Sequence, residues 1–137
     1  MAEFATEAGV RLHVQADDES VASGALIAAC IAEAHERVLA ALRADVDEES
    51  PPGALIQGET LIASAVLLRA LASREAVEQV TVQIGGQRVD IGQKFASLMS
   101  IARRFEREAD LLLGPFVRRA VAASPVLLTR TTPVLGR

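Results

Sequence analysis

The chain has 137 residues, enough for one domain with a modest hydrophobic core. Half of its residues are hydrophobic and 3% are aromatic, which excludes intrinsic disorder and is typical of close-packed helices of Ala, Leu, Val and Ile. The net charge of −4 is uneven: residues 1–50 carry 11 acidic and 3 basic side chains, whereas residues 114–137 carry four arginines and no acidic residue. This polarity suits head-to-tail packing of copies or contact of the basic tail with a second partner, unless both ends are simply solvated.

Cysteine content and hydropathy narrow the class of protein further. Cys30 is the only cysteine, so an intramolecular disulfide and a zinc site of several cysteines are excluded, and we expect a small core residue there. No apolar run approaches the roughly 18 residues of a membrane span. The first residues, MAEFATEAG, lack the basic start and apolar stretch of a signal peptide. We therefore expect a soluble protein.

The first third of the chain predicts one long helix. Met1–Gly9 is expected to fray, and Val10–Gln15 alternates apolar and polar residues, which indicates a short extended segment or a docking lead-in. Acidic residues and a serine follow, and they favour a helix start, so a helix is predicted over about 20–44. Cys30 and Ala41 widen its apolar face, and His35 is expected at the surface. The face repeats at spacings of three and four: Ile27, Ile31, Ala34, Val38 and Leu42.

The middle of the chain predicts a buried helix. An acidic run and Pro51-Pro52 end the first helix, because proline cannot continue a helix interior. A second helix is predicted over about 54–73, and its apolar residues are spread nearly all round. Such a helix forms the centre of a bundle or of an assembly.

The stretch TVQIGGQRVDIG, residues 81–92, predicts a β-hairpin over 80–91. Short alternating runs flank Gly85-Gly86, and such a turn needs positive φ at its centre. A phosphate-binding loop is the alternative, but Gly85, Gly86 and Gly92 fit neither of its glycine spacings, and no Lys-Ser/Thr pair follows. The hairpin explains the glycines more simply.

The last third predicts a helix and an arm. The spacing of Phe95, Leu98, Ala102, Phe105 and Ala109 predicts a third helix over about 93–113, which Gly114-Pro115 ends. A short fourth helix is predicted over 116–123, followed by an extended arm over 124–137. The predicted fold is thus mainly α: one domain over 1–123, made of three long helices, the short fourth helix and a hairpin between the second and third helices, with the C-terminal arm attached.

The sequence shows no constellation of catalytic residues, so we expect a protein that is not an enzyme and has no metal or cofactor. The acidic run Asp45, Asp47, Glu48 and Glu49 lacks the spacing and glycine of a calcium loop, and it is interpreted as a solvated rim. Nucleic-acid recognition is disfavoured because the chain is acidic and has no Trp or Tyr to stack on bases. A small cytoplasmic helical regulator or protein-interaction module remains one interpretation.

Three segments resemble head–tail connector (adaptor) proteins of long-tailed bacteriophages and related gene transfer agents. Their opening, with a short segment, paired acids and a helix rich in Ile-x-x-Ala, is similar to VRLHVQADDESVASGALIAACIAEAHERVLAAL. Their proline-led buried second helix is similar to PPGALIQGETLIASAVLLRALASREA. Their hairpin or loop and last long helix are similar to VTVQIGGQRVDIGQKFASLMSIARRFEREADLLL. The resemblance covers residues 10–116.

This resemblance implies a structural virion protein. Connectors form a ring, usually of twelve subunits, that joins the portal at the capsid vertex to the head-closure or tail proteins. DNA passes through the ring without sequence-specific binding, and no membrane is involved. The implied location is the neck of the virion, with the host cytoplasm before assembly.

The resemblance also implies three sets of contact residues. An acidic lumen that repels DNA phosphates would be formed by Asp45, Asp47, Glu48 and Glu49. A hairpin contact with a neighbouring subunit or the next neck protein would use Val82, Ile84, Gly85, Gly86 and Arg88. In related connectors the C-terminal arm reaches into the portal, and the docking residues here would be Leu127, Leu128, Arg130, Pro133, Val134 and Leu135.

Overall fold

The protein is mainly α-helical. The computed structural model describes residues 3–82 and 88–118, and the side chains of residues 3–77 and 94–118. The helices are α1 (Glu7–Val14), α2 (Gly24–Ala41), α3 (Gly53–Val82) and α4 (Arg88–Leu113), and a 3₁₀ turn follows at Gly114–Phe116. Over the described ranges there is no β-strand, and an isolated antiparallel bridge joins Leu42 to Val117. The three predicted long helices are therefore confirmed.

Helix α3 is the central element, as its all-round apolar pattern predicts. It contacts α1, α2 and α4. Arg69 of α3 pairs with Glu106 of α4, and Glu75 pairs with Lys94, so the two long helices run antiparallel. The two helices pack tightly at Gly58, where an added Cβ would lie 2.6 Å from the Leu113 side chain. A residue with a side chain at this position would require the Leu113 side chain, or α4 with it, to shift.

The hydrophobic core consists of two clusters that share α3. The first joins α3 to α4, to the end of α2 and to Phe4. The second joins α3 to α1 and to the inner face of α2. The predicted face of α2 is buried, and Cys30 lies within it, as expected. The largest fully buried apolar side chains are Ile27, Leu55, Leu67, Val10 and Val38.

The short extended segment predicted at residues 10–15 is wrong, because most of these residues belong to α1. The Thr6 hydroxyl accepts a hydrogen bond from the Gly9 N–H and caps the helix, and Glu7 pairs with Arg11 one turn later. Val10 is fully buried. The alternation therefore comes from an amphipathic helix of two turns, which Gln15 ends with φ of 55°.

The predicted β-hairpin is also wrong in its described parts. Residues 80–82 continue α3 and residues 88–91 begin α4, so helices replace both predicted strands. Val82 is the last residue of α3 and Arg88 is the first of α4, whereas Ile84, Gly85 and Gly86 lie outside the described residues. Extending an existing helix adds one hydrogen bond per residue without a new nucleus, which outweighs a weak preference for strand.

The short fourth helix predicted over 116–123 does not begin as expected. Phe116 ends the 3₁₀ turn, and Val117 is extended because it bridges to Leu42. Pro115 lies within the turn, where its missing N–H breaks no helical hydrogen bond. Residues 119–123 and the arm at 124–137 lie outside the described residues.

One segment of α3 meets a length-and-hydropathy criterion for a membrane span, contrary to the expectation from the longest apolar run. The segment is Gly53–Val77, and 56% of its most apolar window is buried by the other helices. A core helix of a soluble protein meets the same criterion. The packing of α1, α2 and α4 around α3 is the arrangement expected for a central bundle helix.

Candidate functional site

A charged residue lies in the middle of the apolar helix α3. Glu59 is fully buried, and its Oε2 accepts hydrogen bonds of 2.9 Å from the backbone N–H groups of both Phe4 and Ala5. Its Oε1 lies 2.9 Å from Nδ1 of His35 on α2. One carboxylate therefore ties the N-terminal segment and α2 to α3. We call Glu59, His35 and the backbone of Phe4 and Ala5 the buried polar cluster.

The hydrogen bonds explain how Glu59 can be buried. An unpaired carboxylate in an apolar interior costs several kcal/mol, and a partner with well-placed donors offsets this cost. Two backbone donors converge on Oε2, which is also the arrangement that holds the chain at Phe4 and Ala5 in place. The fraying predicted for Met1–Gly9 is therefore wrong for the residues from Phe4 onward.

His35 is buried, so the surface position expected for it is wrong. Its ring makes an edge-to-face contact with Phe4, with the ring centroids 4.9 Å apart. Its Nε2 is buried and has no hydrogen-bond partner among the described residues. The spacing in the sequence does indicate this buried position, because His35 lies four residues after Ile31, on the side of α2 that packs against the core.

A cleft opens on the outer side of Phe4. It has a volume of about 840 Å³. We call it the acidic cleft, because four of its seven lining residues are acidic. It is lined by Glu3, Phe4, Val46, Asp47, Glu48, Glu49 and Pro51. Phe4 thus belongs to the buried polar cluster on one side and to the acidic cleft on the other.

The carboxylates predicted to form a solvated rim are mostly exposed. Asp45, Asp47 and Glu49 are exposed, and Glu48 is half-buried. Asp45 pairs with Arg43, and Asp47 Oδ1 accepts a hydrogen bond from the Glu49 N–H. The acidic residues of the cleft form no ion pair with any described residue. Within the described chain no group of three or more His, Cys, Asp or Glu side chains is arranged to hold a metal ion.

The C-terminal segment leaves the bundle beside this cleft. Arg43 N–H donates to the Phe116 carbonyl at 2.9 Å, and Arg118 N–H donates to the Ala41 carbonyl at 2.8 Å. The Arg118 guanidinium donates to the carbonyls of Leu42 and Ala40 at the end of α2, where cations are favoured. These hydrogen bonds fix the backbone of residues 116–118 against the end of α2. The predicted arm residues from Leu127 to Leu135 lie beyond this point, outside the described residues.

Among the described residues, Cys30 and Asp18 have shifted pKa values. Burial raises the pKa of the Cys30 thiol, and the charge of Glu33 raises it further, which makes the thiolate scarce at neutral pH. Hydrogen bonds from the Ser20 N–H and hydroxyl lower the pKa of the exposed Asp18 carboxyl. Cys30 is thus a packing residue, and Asp18 stabilises a turn.

Large apolar side chains are exposed at several places. Val77 is 67% exposed and Phe95 is 36% exposed, and both lie towards the end of the bundle at which α3 finishes and α4 begins. Leu12 on α1 and Leu111 near the end of α4 are more exposed still. Single exposed apolar residues are common, but the antiparallel end formed by residues 73–77 and 94–97 has no buried side chain at all.

Comparison with protein-family models, with curated proteins and with solved structures gave no match.

Proposed function

We propose that the protein is a structural subunit of a bacteriophage or gene-transfer-agent neck, a head–tail connector that assembles as a ring between portal and tail. The observation that carries the proposal is the placement of opposite charges. The basic C-terminal segment leaves the bundle at Arg118, next to the loop that carries Asp47, Glu48 and Glu49. The class of assembly comes from the resemblance over residues 10–116.

A ring requires each subunit to offer two different surfaces to its neighbours. Contacts of this heterologous kind close into a ring when the rotation between subunits permits it. The α3–α4 end exposes two large apolar side chains, Val77 and Phe95, at the opposite end of α3 from the charged loop. We assign the subunit or neck contact to this end in its helical form, in place of a hairpin.

Two further parts of the proposal concern the portal and DNA. The arm would dock on the portal through its apolar residues and Arg130. The exposed carboxylates Asp45, Asp47 and Glu49, with Glu48, would face the lumen and repel DNA phosphates. DNA would pass without base-specific contacts.

The test is binding to a portal protein from the same genome, viewed by negative-stain electron microscopy. The full chain is expected to add a ring of density to the portal. Deletion of residues 124–137 should abolish binding and leave the helical signal in circular dichroism unchanged. A matched pair of full-length variants refines the test: Leu127→Ser/Leu128→Ser/Leu135→Ser should lose binding, and Thr129→Ser/Thr131→Ser/Thr132→Ser should keep it.

Unchanged portal binding after the deletion would contradict the docking role of the arm. Absence of any ring with the full chain would contradict the connector assignment itself. A stable dimer that ignores the portal would favour the regulator or interaction module instead.

A further inference from the structure

We propose that the C-terminal segment of residues 119–137 docks in the acidic cleft of its own chain. This inference concerns the free protein and does not rest on the proposed function. It assigns an occupant to a cleft that the described residues leave open, and it gives the basic segment a binding site within the same molecule.

The position of the exit makes the docking intramolecular. The Phe116 carbonyl accepts a hydrogen bond from the Arg43 N–H, and the Val46 N–H donates to the Arg43 carbonyl at 3.2 Å. Val46, which lines the cleft, therefore lies one turn away from the residue that is bonded to the C-terminal segment. Nineteen residues follow Arg118, and an extended chain of that length reaches about 60 Å. A tether this short gives an effective concentration on the order of millimolar, well above any ordinary protein concentration.

The chemistry of the segment complements that of the cleft. The segment contains three arginines and no acidic side chain, and the cleft presents four carboxylates that form no ion pair with described residues. The cleft also has apolar walls at Phe4, Val46 and Pro51. Its volume of about 840 Å³ is in the range of sites that enclose ligands, enough for a few side chains. The apolar residues of the segment are Val121, Val126, Leu127, Leu128, Val134 and Leu135.

The test compares three full-length proteins by the rate at which trypsin cleaves after Arg130. The first is the unchanged chain. The second is the cleft variant Asp47→Asn/Glu48→Gln/Glu49→Gln, in which the amide introduced in place of the Asp47 carboxylate keeps an oxygen for the Glu49 N–H. The third is a charge-matched control, Glu36→Gln/Glu108→Gln/Asp110→Asn, which removes three exposed carboxylates from helices outside the cleft.

We expect trypsin to cleave the unchanged chain and the control about tenfold more slowly than the cleft variant. A factor of ten is the protection that two or three partly exposed ion pairs between the segment and the cleft would give. At about 0.5 M salt the three rates should converge, because exposed charges are screened. Circular dichroism checks that all three proteins are folded.

A nitroxide label locates the docked segment. It is attached to Thr132→Cys, because Cys30 is buried and reacts slowly. It should broaden the amide signals of Val46 and Asp47 in the unchanged chain and not in the cleft variant. Equal cleavage rates and equal broadening in all three proteins would overturn the proposal. Protection that grows with protein concentration would also overturn it, because it would assign the cleft to the segment of a second copy.

Discussion

The two ends of α3 differ in both sequence and surroundings: residues 55–72 are mostly apolar, whereas residues 73–82 include Arg74, Glu75 and Glu78. From Leu55 to Ala72 the helix is surrounded by α1, α2 and α4, and even its glutamate is buried. From Ser73 onward it contacts α4 and, through the Arg74 guanidinium, the carbonyl of Val21, and no described side chain there is buried. Val77 is 67% exposed, although Leu67, ten residues earlier, is fully buried.

The difference follows the sequence, because apolar residues are spread all round α3 up to about Ala72, and charged and polar residues are frequent after it. The first end of α3 is held by cross-helix polar contacts as well as by packing, since Glu59 reaches both α2 and the N-terminal segment. The second end is held by packing against α4, by the Glu75–Lys94 pair at its surface and by the Arg74 guanidinium, which donates to the Val21 carbonyl. We infer that the first end supplies stability and that the second end supplies contact surface.

Removing Glu59 is the strongest test of this comparison. Glu59→Ala leaves two backbone N–H groups and the His35 ring without their acceptor, and a buried donor left unsatisfied costs about 1–3 kcal/mol. Urea unfolding followed by circular dichroism measures the loss. Glu59→Gln keeps one acceptor oxygen and the side-chain volume, so it should lose less and remains measurable if the alanine variant does not fold.

The matched control for Glu59 is Ser73→Ala, on the same helix and exposed to solvent. Its unfolding free energy should change by about 0.5 kcal/mol or less. A loss below about 1 kcal/mol for Glu59→Ala would show that the buried polar cluster does not stabilise the first end.

Two truncations compare the packing at the two ends directly. Leu67→Ala removes a fully buried side chain and should cost about 2–5 kcal/mol, because the surrounding helices cannot close the cavity completely. Val77→Ala should change stability by about 0.5 kcal/mol or less, since its side chain already faces solvent. Denaturant midpoints of the two variants give the comparison. Equal losses would mean that the second end is covered in solution.

The core helices of this fold could be predicted from the sequence, and the buried polar cluster could not. Spacings of three and four residues identify the inner face of α2, and the all-round apolar pattern identifies α3 as central. Glu59 is a single acidic residue in that pattern, and its partners are backbone groups of residues far away in the chain. Local periodicity carries no information about such a contact.

The two wrong predictions of local structure have a common physical cause. Short alternating runs at residues 10–15 and 80–91 fit a strand or one side of a helix equally well. Tertiary packing decided between them, because Val10 is buried against the bundle and the second run is continuous with two long helices. The acidic cleft could not be predicted from the sequence, because it forms only where Phe4 lies next to the distant loop at Val46–Pro51.

The smallest expected difference is between the two salt bridges that join α3 to α4. Arg69 makes two hydrogen bonds to Glu106, at 2.6 Å and 3.2 Å, with both side chains about one third exposed. Glu75 makes a single 3.2 Å contact with Lys94, whose side chain is 61% exposed.

Double-mutant cycles to alanine should give about 0.5–1 kcal/mol for the Arg69–Glu106 pair and about 0.3 kcal/mol or less for the Glu75–Lys94 pair. Salt should reduce the first value only partly, because a bidentate, partly buried pair is screened less. A larger coupling at Glu75–Lys94 than at Arg69–Glu106 would reverse the ranking, and it would place a stabilising contact at the end to which we assign binding.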